Sequence, residues 1–116
     1  MITGVHALIY TKQAEEVRAF FRDVLEWKTV DAGHGWLIFG MPPAELGIHP
    51  ADETPYHELY LMCDDIHGTL ASLRSRGVEI STEASDQGWG IVAGIRLPGG
   101  SEIGIYEPRH PTAIQR

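Results

Sequence analysis

One pattern occurs twice in this chain, in the same order and at similar spacing. Gly35-Trp36-Leu37-Ile38-Phe39 is followed by Pro43-Ala44-Glu45-Leu46-Gly47-Ile48-His49-Pro50. Later, Gly88-Trp89-Gly90-Ile91-Val92 is followed by Gly100-Ser101-Glu102-Ile103-Gly104-Ile105-Tyr106-Glu107-Pro108. The Glu-Leu-Gly-Ile and Glu-Ile-Gly-Ile segments are near copies. A recurrence of this kind marks one supersecondary unit used twice.

The upstream segments fit the same scheme. Val5 to Tyr10 is a short apolar run and reads as a strand. From about Gln13 to Glu26, Val17, Phe20, Phe21, Val24 and Leu25 form the stripe of an amphipathic helix, with Arg18, Arg22 and Asp23 off it. In the second half, Leu59 to Cys63 reads as the strand and Asp64 or Asp65 as the helix N-cap. Ile66, Leu70 and Leu73 share one face of that helix, and Gly77 stands where a left-handed cap belongs. Three strands are then expected after each helix: Lys28–Ala32, Trp36–Gly40 and Glu45–His49, and Val78–Ser81, Gly90–Arg96 and Glu102–Tyr106.

The fold class is therefore α+β: two βαβββ units whose curved mixed sheets face each other around a cleft, with the helices outside. A helix covers only one face of a sheet, so the other face must meet the partner unit or its equivalent in a second copy. With 116 residues the chain makes one domain. Unit one covers about residues 1–50, a linker about 50–56, unit two about 57–110, and a tail 111–116. The net charge of −7 argues against nucleic-acid and anionic-membrane partners, because phosphate binding needs a basic patch. No apolar run reaches the ~18 residues of a membrane span. The opening segment lacks the basic stretch and apolar run of a secretory leader, and the single Cys63 forms no internal disulfide. These features together predict a cytoplasmic protein.

Several segments carry a resemblance. They are Val5-His6-Ala7-Leu8-Ile9-Tyr10, Ala19-Phe20-Phe21-Arg22-Asp23-Val24-Leu25, Cys63-Asp64-Asp65-Ile66, Gly77-Val78-Glu79, Gly88-Trp89-Gly90 and Leu97-Pro98-Gly99-Gly100-Ser101. Over essentially its whole length the chain resembles the vicinal oxygen chelate superfamily: glyoxalase I, extradiol dioxygenases, fosfomycin-resistance enzymes and bleomycin-binding proteins. The resemblance implies the glyoxalase-like fold and a homodimer. In the enzymes of the group it also implies a divalent metal (Fe, Mn, Ni or Zn) held from the first and fourth strand of each unit.

Carried over by position, His6 and Glu58 fall on the first-strand ligand positions. A slip of one residue would exchange Glu58 for His57. The fourth-strand positions fall on Gly47 and Gly104, which have no donor. Glu45 and His49 beside Gly47, and Glu102 and Tyr106 beside Gly104, lie about 6.6–6.8 Å away along a strand. With His57 and Glu107, the acidic and imidazole groups among them are secondary candidates for a displaced site. The cofactor expectation is accordingly none, or a weakly held divalent metal.

His6 and Glu58 also admit a metal-free role as a base and its orienting partner. Otherwise Glu58 is a strand-edge carboxylate in water. Tyr10, Tyr60 and Tyr106 alternate onto the side of His6, Glu58 and Gly104, which predicts an aromatic cleft for a small hydrophobic or aromatic molecule. Trp36, Gly47, Trp89 and Gly104 complete the expected lining, the glycines leaving room for a ligand. His34, His67 and His110 read as surface residues, and Cys63 as an inert packed thiol. Two functions follow. One is a small-molecule binding protein of the glyoxalase/bleomycin-resistance type with a degenerate metal site. The alternative is a glyoxalase- or dioxygenase-like enzyme using a metal or the His6/Glu58 pair.

Overall fold

A computed structural model describes residues 6–48, 50 and 56–114. His49 and most of the expected linker lie outside the described residues, as do Val5 and the last two residues of the tail. Helix α1 spans Ala14–Ala19 and runs into a wider π-helical turn over Phe20–Val24, where the Leu25 amide donates to the Phe20 carbonyl at 3.1 Å. Strands β1 (Thr29–Asp31) and β2 (Leu37–Phe39) form an antiparallel ribbon. The second half contributes β3 (Tyr60–Met62), α2 (Ile66–Ser75), β4 (Ile80–Asp86), β5 (Gly90–Arg96) and β6 (Glu102–Pro108).

The second half is the complete unit. Its sheet has the order β3-β6-β5-β4, with β3 parallel to β6 and the other pairs antiparallel. Asp65 caps α2 by accepting from the Gly68 amide at 3.1 Å, and the Glu107 carboxylate on β6 accepts from the Ile66 amide at 3.0 Å. Two of the orphan amides of the helix start are thereby satisfied. At the other end Gly77 takes φ +84°, and the Gly77 and Val78 amides return to the Arg74 and Leu73 carbonyls. A side chain at position 77 would strain that left-handed turn.

One apolar cluster joins Val17, Phe20 and Phe21 of the first helix to Ile66, Leu70 and Leu73 of α2 and to Ala93, Ile95, Ile103 and Ile105 of the sheet. Ile66 and Ile95 are fully buried, each contributing about 1.5–3 kcal/mol. Arg76 ties the two helices together, donating to the carbonyls of Asp23 at 2.6 Å and Val24 at 2.7 Å. The helices thus cover one face of the four-stranded sheet and leave the other open.

The first half departs from the expected unit. β1 and β2 form where expected, joined by a turn in which the Asp31 carboxylate accepts from the Gly33 amide at 2.7 Å. Residues 6–10 and 41–48 run without a strand assignment, so the strands expected at 5–10 and 45–49 are not formed among the described residues. A strand needs a neighbour to take its amides and carbonyls, and neither segment pairs in a sheet among the described residues. Leu8, Tyr10, Leu46 and Ile48 are exposed as a result. The radius of gyration is 15.1 Å, against about 13 Å for a compact chain of this length.

Candidate functional site

On the open face of the four-stranded sheet lies a cleft of about 430 Å³. Gly94 and Gly104 are cross-strand partners at its floor, and Leu8, Ile9 and Tyr10 come from the first half to form one wall. His57, Glu58, Tyr60, Thr82, Ser101 and Glu102 complete the polar and aromatic lining. No lysine or arginine lines it among the described residues.

Tyr60 and Gly104 are register partners in the parallel β3–β6 pair. The Tyr60 ring lies directly on Gly104. A Cβ at position 104 would stand far inside van der Waals distance of Tyr60 Cδ1 and Cε1, and 3.2 Å from Cγ. Trp89 and Tyr106 brace the ring edge-to-face, with centroids 6.5 and 5.6 Å from it and 5.4 Å from each other. The Tyr60 hydroxyl donates to Glu58 at 3.4 Å. Burial, then the adjacent Glu58 charge, raises the Tyr60 phenol above its ordinary range.

Over Gly94 sits the Glu102 carboxylate, which accepts from the Ser81 hydroxyl and, at 3.0 Å, from the Thr82 hydroxyl. Consecutive strand residues normally point to opposite faces. Here the register shifts between Ile80 and Thr82, so two residues of β4 oppose one of β5 and both hydroxyls reach the same carboxylate. The two hydrogen bonds hold the Glu102 carboxyl below its ordinary range.

A second polar group lies at the end of the same face. Glu45 crosses from the first half, its carboxylate accepting from the Tyr106 hydroxyl at 3.5 Å and from the Ala113 amide at 2.7 Å. His110 Nε2 lies 3.5 Å from the same hydroxyl and 3.9 Å from Glu45. Burial and Glu45 raise the Tyr106 phenol. His110, expected on the surface, is instead half-buried.

Of the residues expected at the site, Tyr10, Glu58, Tyr60 and Gly104 line the cleft, together with His57 and Glu102. Trp89 and Tyr106 support Tyr60 from behind. Trp36 is exposed in the β1–β2 hairpin under the Arg18 guanidinium, 4.8 Å from its ring centroid, and is not among the lining residues; nor is the exposed Gly47. His6 is exposed and also outside the lining, so within one chain it does not meet Glu58 there. Glu107 caps α2, Glu45 ties down the tail, and His49 lies outside the described residues. Cys63 packs at the edge of the core, its thiol raised by burial. No group of three or more His, Cys, Asp or Glu residues is placed to hold a metal ion among the described residues. The position of the fourth-strand donor is filled by the Tyr60 ring rather than left open. Among the described residues, the donor set therefore does not fit the metal that the fold implies. Ser81, Thr82 and Gly94 were missed from sequence: a mid-strand glycine in Gly90–Arg96 was a usable signal, but the bulge that aligns Ser81 with Thr82 had none.

A family model, Glyoxalase/Bleomycin resistance protein/Dioxygenase superfamily, matches residues 4–108. The chain belongs to this superfamily. Among solved structures its fold is similar to that of TnmS3, an antibiotic binding protein from Streptomyces sp. CB03234. That pair shares 23% identity at a TM-score of 0.68, covering 92% of this chain and 97% of that one. A superfamily member from Sphaerobacter thermophilus DSM 20745 follows at 20% identity and a TM-score of 0.62, covering 91% and 98%. Lactoylglutathione lyase from Agrobacterium tumefaciens gives 14% and 0.58, covering 90% and 92%. No functionally curated protein matches the chain. Superfamily membership accounts for the α+β fold and for the cleft on the open sheet face. It leaves open both binding and catalysis, because the same fold serves each.

Proposed function

We propose that this protein is a metal-independent small-molecule binding protein, a cytoplasmic homodimer whose cleft takes a flat hydrophobic or aromatic ligand. The observation that carries this reading is the braced Tyr60 ring on the cleft floor, in a lining that among the described residues has two carboxylates and no lysine or arginine. An aromatic wall with a few fixed polar groups is the usual make-up of a small-molecule site. The fold likeness to an antibiotic binding protein supports the same reading. Among the described residues, no helix is long and apolar enough to cross a membrane. The homodimer is supported by segments 6–10 and 41–48, which pair with no strand among the described residues and whose exposed apolar side chains a second copy would cover. Because Leu8, Ile9 and Tyr10 belong to one of those segments, pairing also firms up the cleft wall.

The enzyme reading keeps one specific support, the Tyr60–Glu58 hydrogen bond that fixes a carboxylate in the cleft. A binding screen separates the two. Purified protein is titrated with flat aromatic probes of opposite charge, proflavine and 8-anilinonaphthalene-1-sulfonate, followed by tryptophan fluorescence with and without EDTA. Saturable binding of proflavine over the anionic probe, unchanged by EDTA and weakened about tenfold in Tyr60→Ala, is expected. Absence of binding by either probe, or binding abolished by EDTA, contradicts the reading.

A further inference from the structure

We infer that Tyr60 and Gly104 act as one unit, an aromatic seat standing where the fold elsewhere places a metal-ligating side chain. The inference deepens the binding reading above, and it concerns which side chain occupies the fourth-strand position of the second unit.

Three observations converge. First, Tyr60 and Gly104 are paired residue to residue across β3 and β6, so the ring and the bare backbone under it cannot drift apart while the sheet holds. Second, position 104 has no space for any side chain: even the first carbon of a glutamate would collide with Cδ1 and Cε1 of the ring. The glycine is thus a requirement of the tyrosine and not an open gap awaiting a ligand. Third, the ring is braced on its edges by Trp89 and Tyr106, and Gly90 lies so close under Tyr106 that a Cβ there would come within 3.1 Å of Tyr106 Cδ2. A Cβ at Gly90 would also meet the Glu107 carbonyl at 2.9 Å, so the space beside the Tyr106 ring is closed at that glycine too.

The consequence holds whichever copy of the chain supplies His6 to the cleft, because the obstruction lies within the second half alone. A donor at position 104 requires that Tyr60 leave, and Tyr60 cannot leave without unseating its packing against Trp89 and Tyr106. Metal chelation and aromatic recognition are mutually exclusive at this position. The seat selects ligands by shape: a flat unsaturated ring stacks on Tyr60, whereas a bulky saturated one meets the floor and the Glu102 carboxylate over Gly94.

A double-mutant cycle tests the unit directly. Wild type, Gly104→Ala, Tyr60→Ala and the double variant are compared by thermal unfolding of the full chain. Gly104→Ala alone is expected to lower the Tm by at least about 4 °C, and the same substitution in the Tyr60→Ala background is expected to cost almost nothing. An equal cost in both backgrounds, or no cost in either, overturns the unit. Titration of wild type with Co²⁺ alone, followed by absorbance, is expected to show no saturating equivalent. One saturating equivalent that is lost in Glu58→Gln overturns the exclusion of metal. Should the cycle show the coupling while neither aromatic probe binds, the proposed function falls and the seat stands.

Discussion

Glu45-Leu46-Gly47-Ile48 and Glu102-Ile103-Gly104-Ile105 are nearly the same four residues, yet they end in opposite environments. Leu46 and Ile48 are 86% and 83% exposed, while Ile103 and Ile105 are 5% and 3% exposed. The difference lies in what surrounds them. The second copy enters a sheet between β3 and β5 and turns its isoleucines onto α2. The first copy follows a two-stranded ribbon and pairs with no strand among the described residues. Strand-forming sequence supplies the tendency, and hydrogen-bonding and packing partners convert it into structure. The contrast also explains why the cleft is built on the second half: only there is the backbone fixed tightly enough to hold a ring against a glycine.

The strongest way to break this comparison is to shorten equivalent side chains in the two copies. Ile105→Ala should lower the unfolding free energy by about 2–5 kcal/mol through the cavity it leaves. Ile48→Ala, measured by urea denaturation at submicromolar concentration to separate the proposed dimer, should change it by less than about 0.5 kcal/mol. Comparable losses at both positions would show that the first copy is also packed within one chain.

The two helices offer a smaller contrast. α2 is capped by Asp65 and by Glu107 from across the sheet, while Gln13 at the start of α1 caps nothing with its side chain. Asp65→Ala should cost about 0.5–2 kcal/mol, and Gln13→Ala close to none. Denaturation midpoints read both, and a larger loss at Gln13 would reverse the picture of which half anchors the fold.

The smallest expected effect concerns pH. The Glu102 carboxyl titrates below its ordinary range in the folded chain because Ser81 and Thr82 donate to it. Its contribution is therefore present above the ordinary carboxylate range and is lost as pH falls through the folded value. The group is solvent-exposed, so the effect is slight. Removing both hydroxyls (Ser81→Ala with Thr82→Ala) should flatten the acid limb of the Tm–pH curve relative to wild type; an unchanged limb would mean that the hydroxyls do not bias its protonation.

Much of this arrangement was legible in the amino-acid sequence where local chemistry decides it. The Ile66, Leu70 and Leu73 stripe, the Gly77 turn and the strand Gly90–Arg96 follow from periodicity and turn chemistry, and of the two cap candidates Asp64 and Asp65 the structure uses Asp65. What escaped depends on pairs distant in the chain. Gly104 was expected to open space, but the space is taken by Tyr60, 44 positions earlier, and only the β3–β6 register reveals it. His110 gave no sign of meeting Glu45 and Tyr106, because a tail residue is placed by what it folds back onto. The first half misled for the same reason: a repeated motif announces a strand, but pairing depends on a partner that the motif does not encode.

Hydrogen exchange of the two motif copies tests this account most directly, followed by mass spectrometry across a range of protein concentrations. Amides of 102–107 should be protected at every concentration, and those of 44–48 only where the proposed dimer forms. Equal protection of both segments in a dilute monomer, or exchange of 44–48 at free-peptide rates at every concentration, would contradict it.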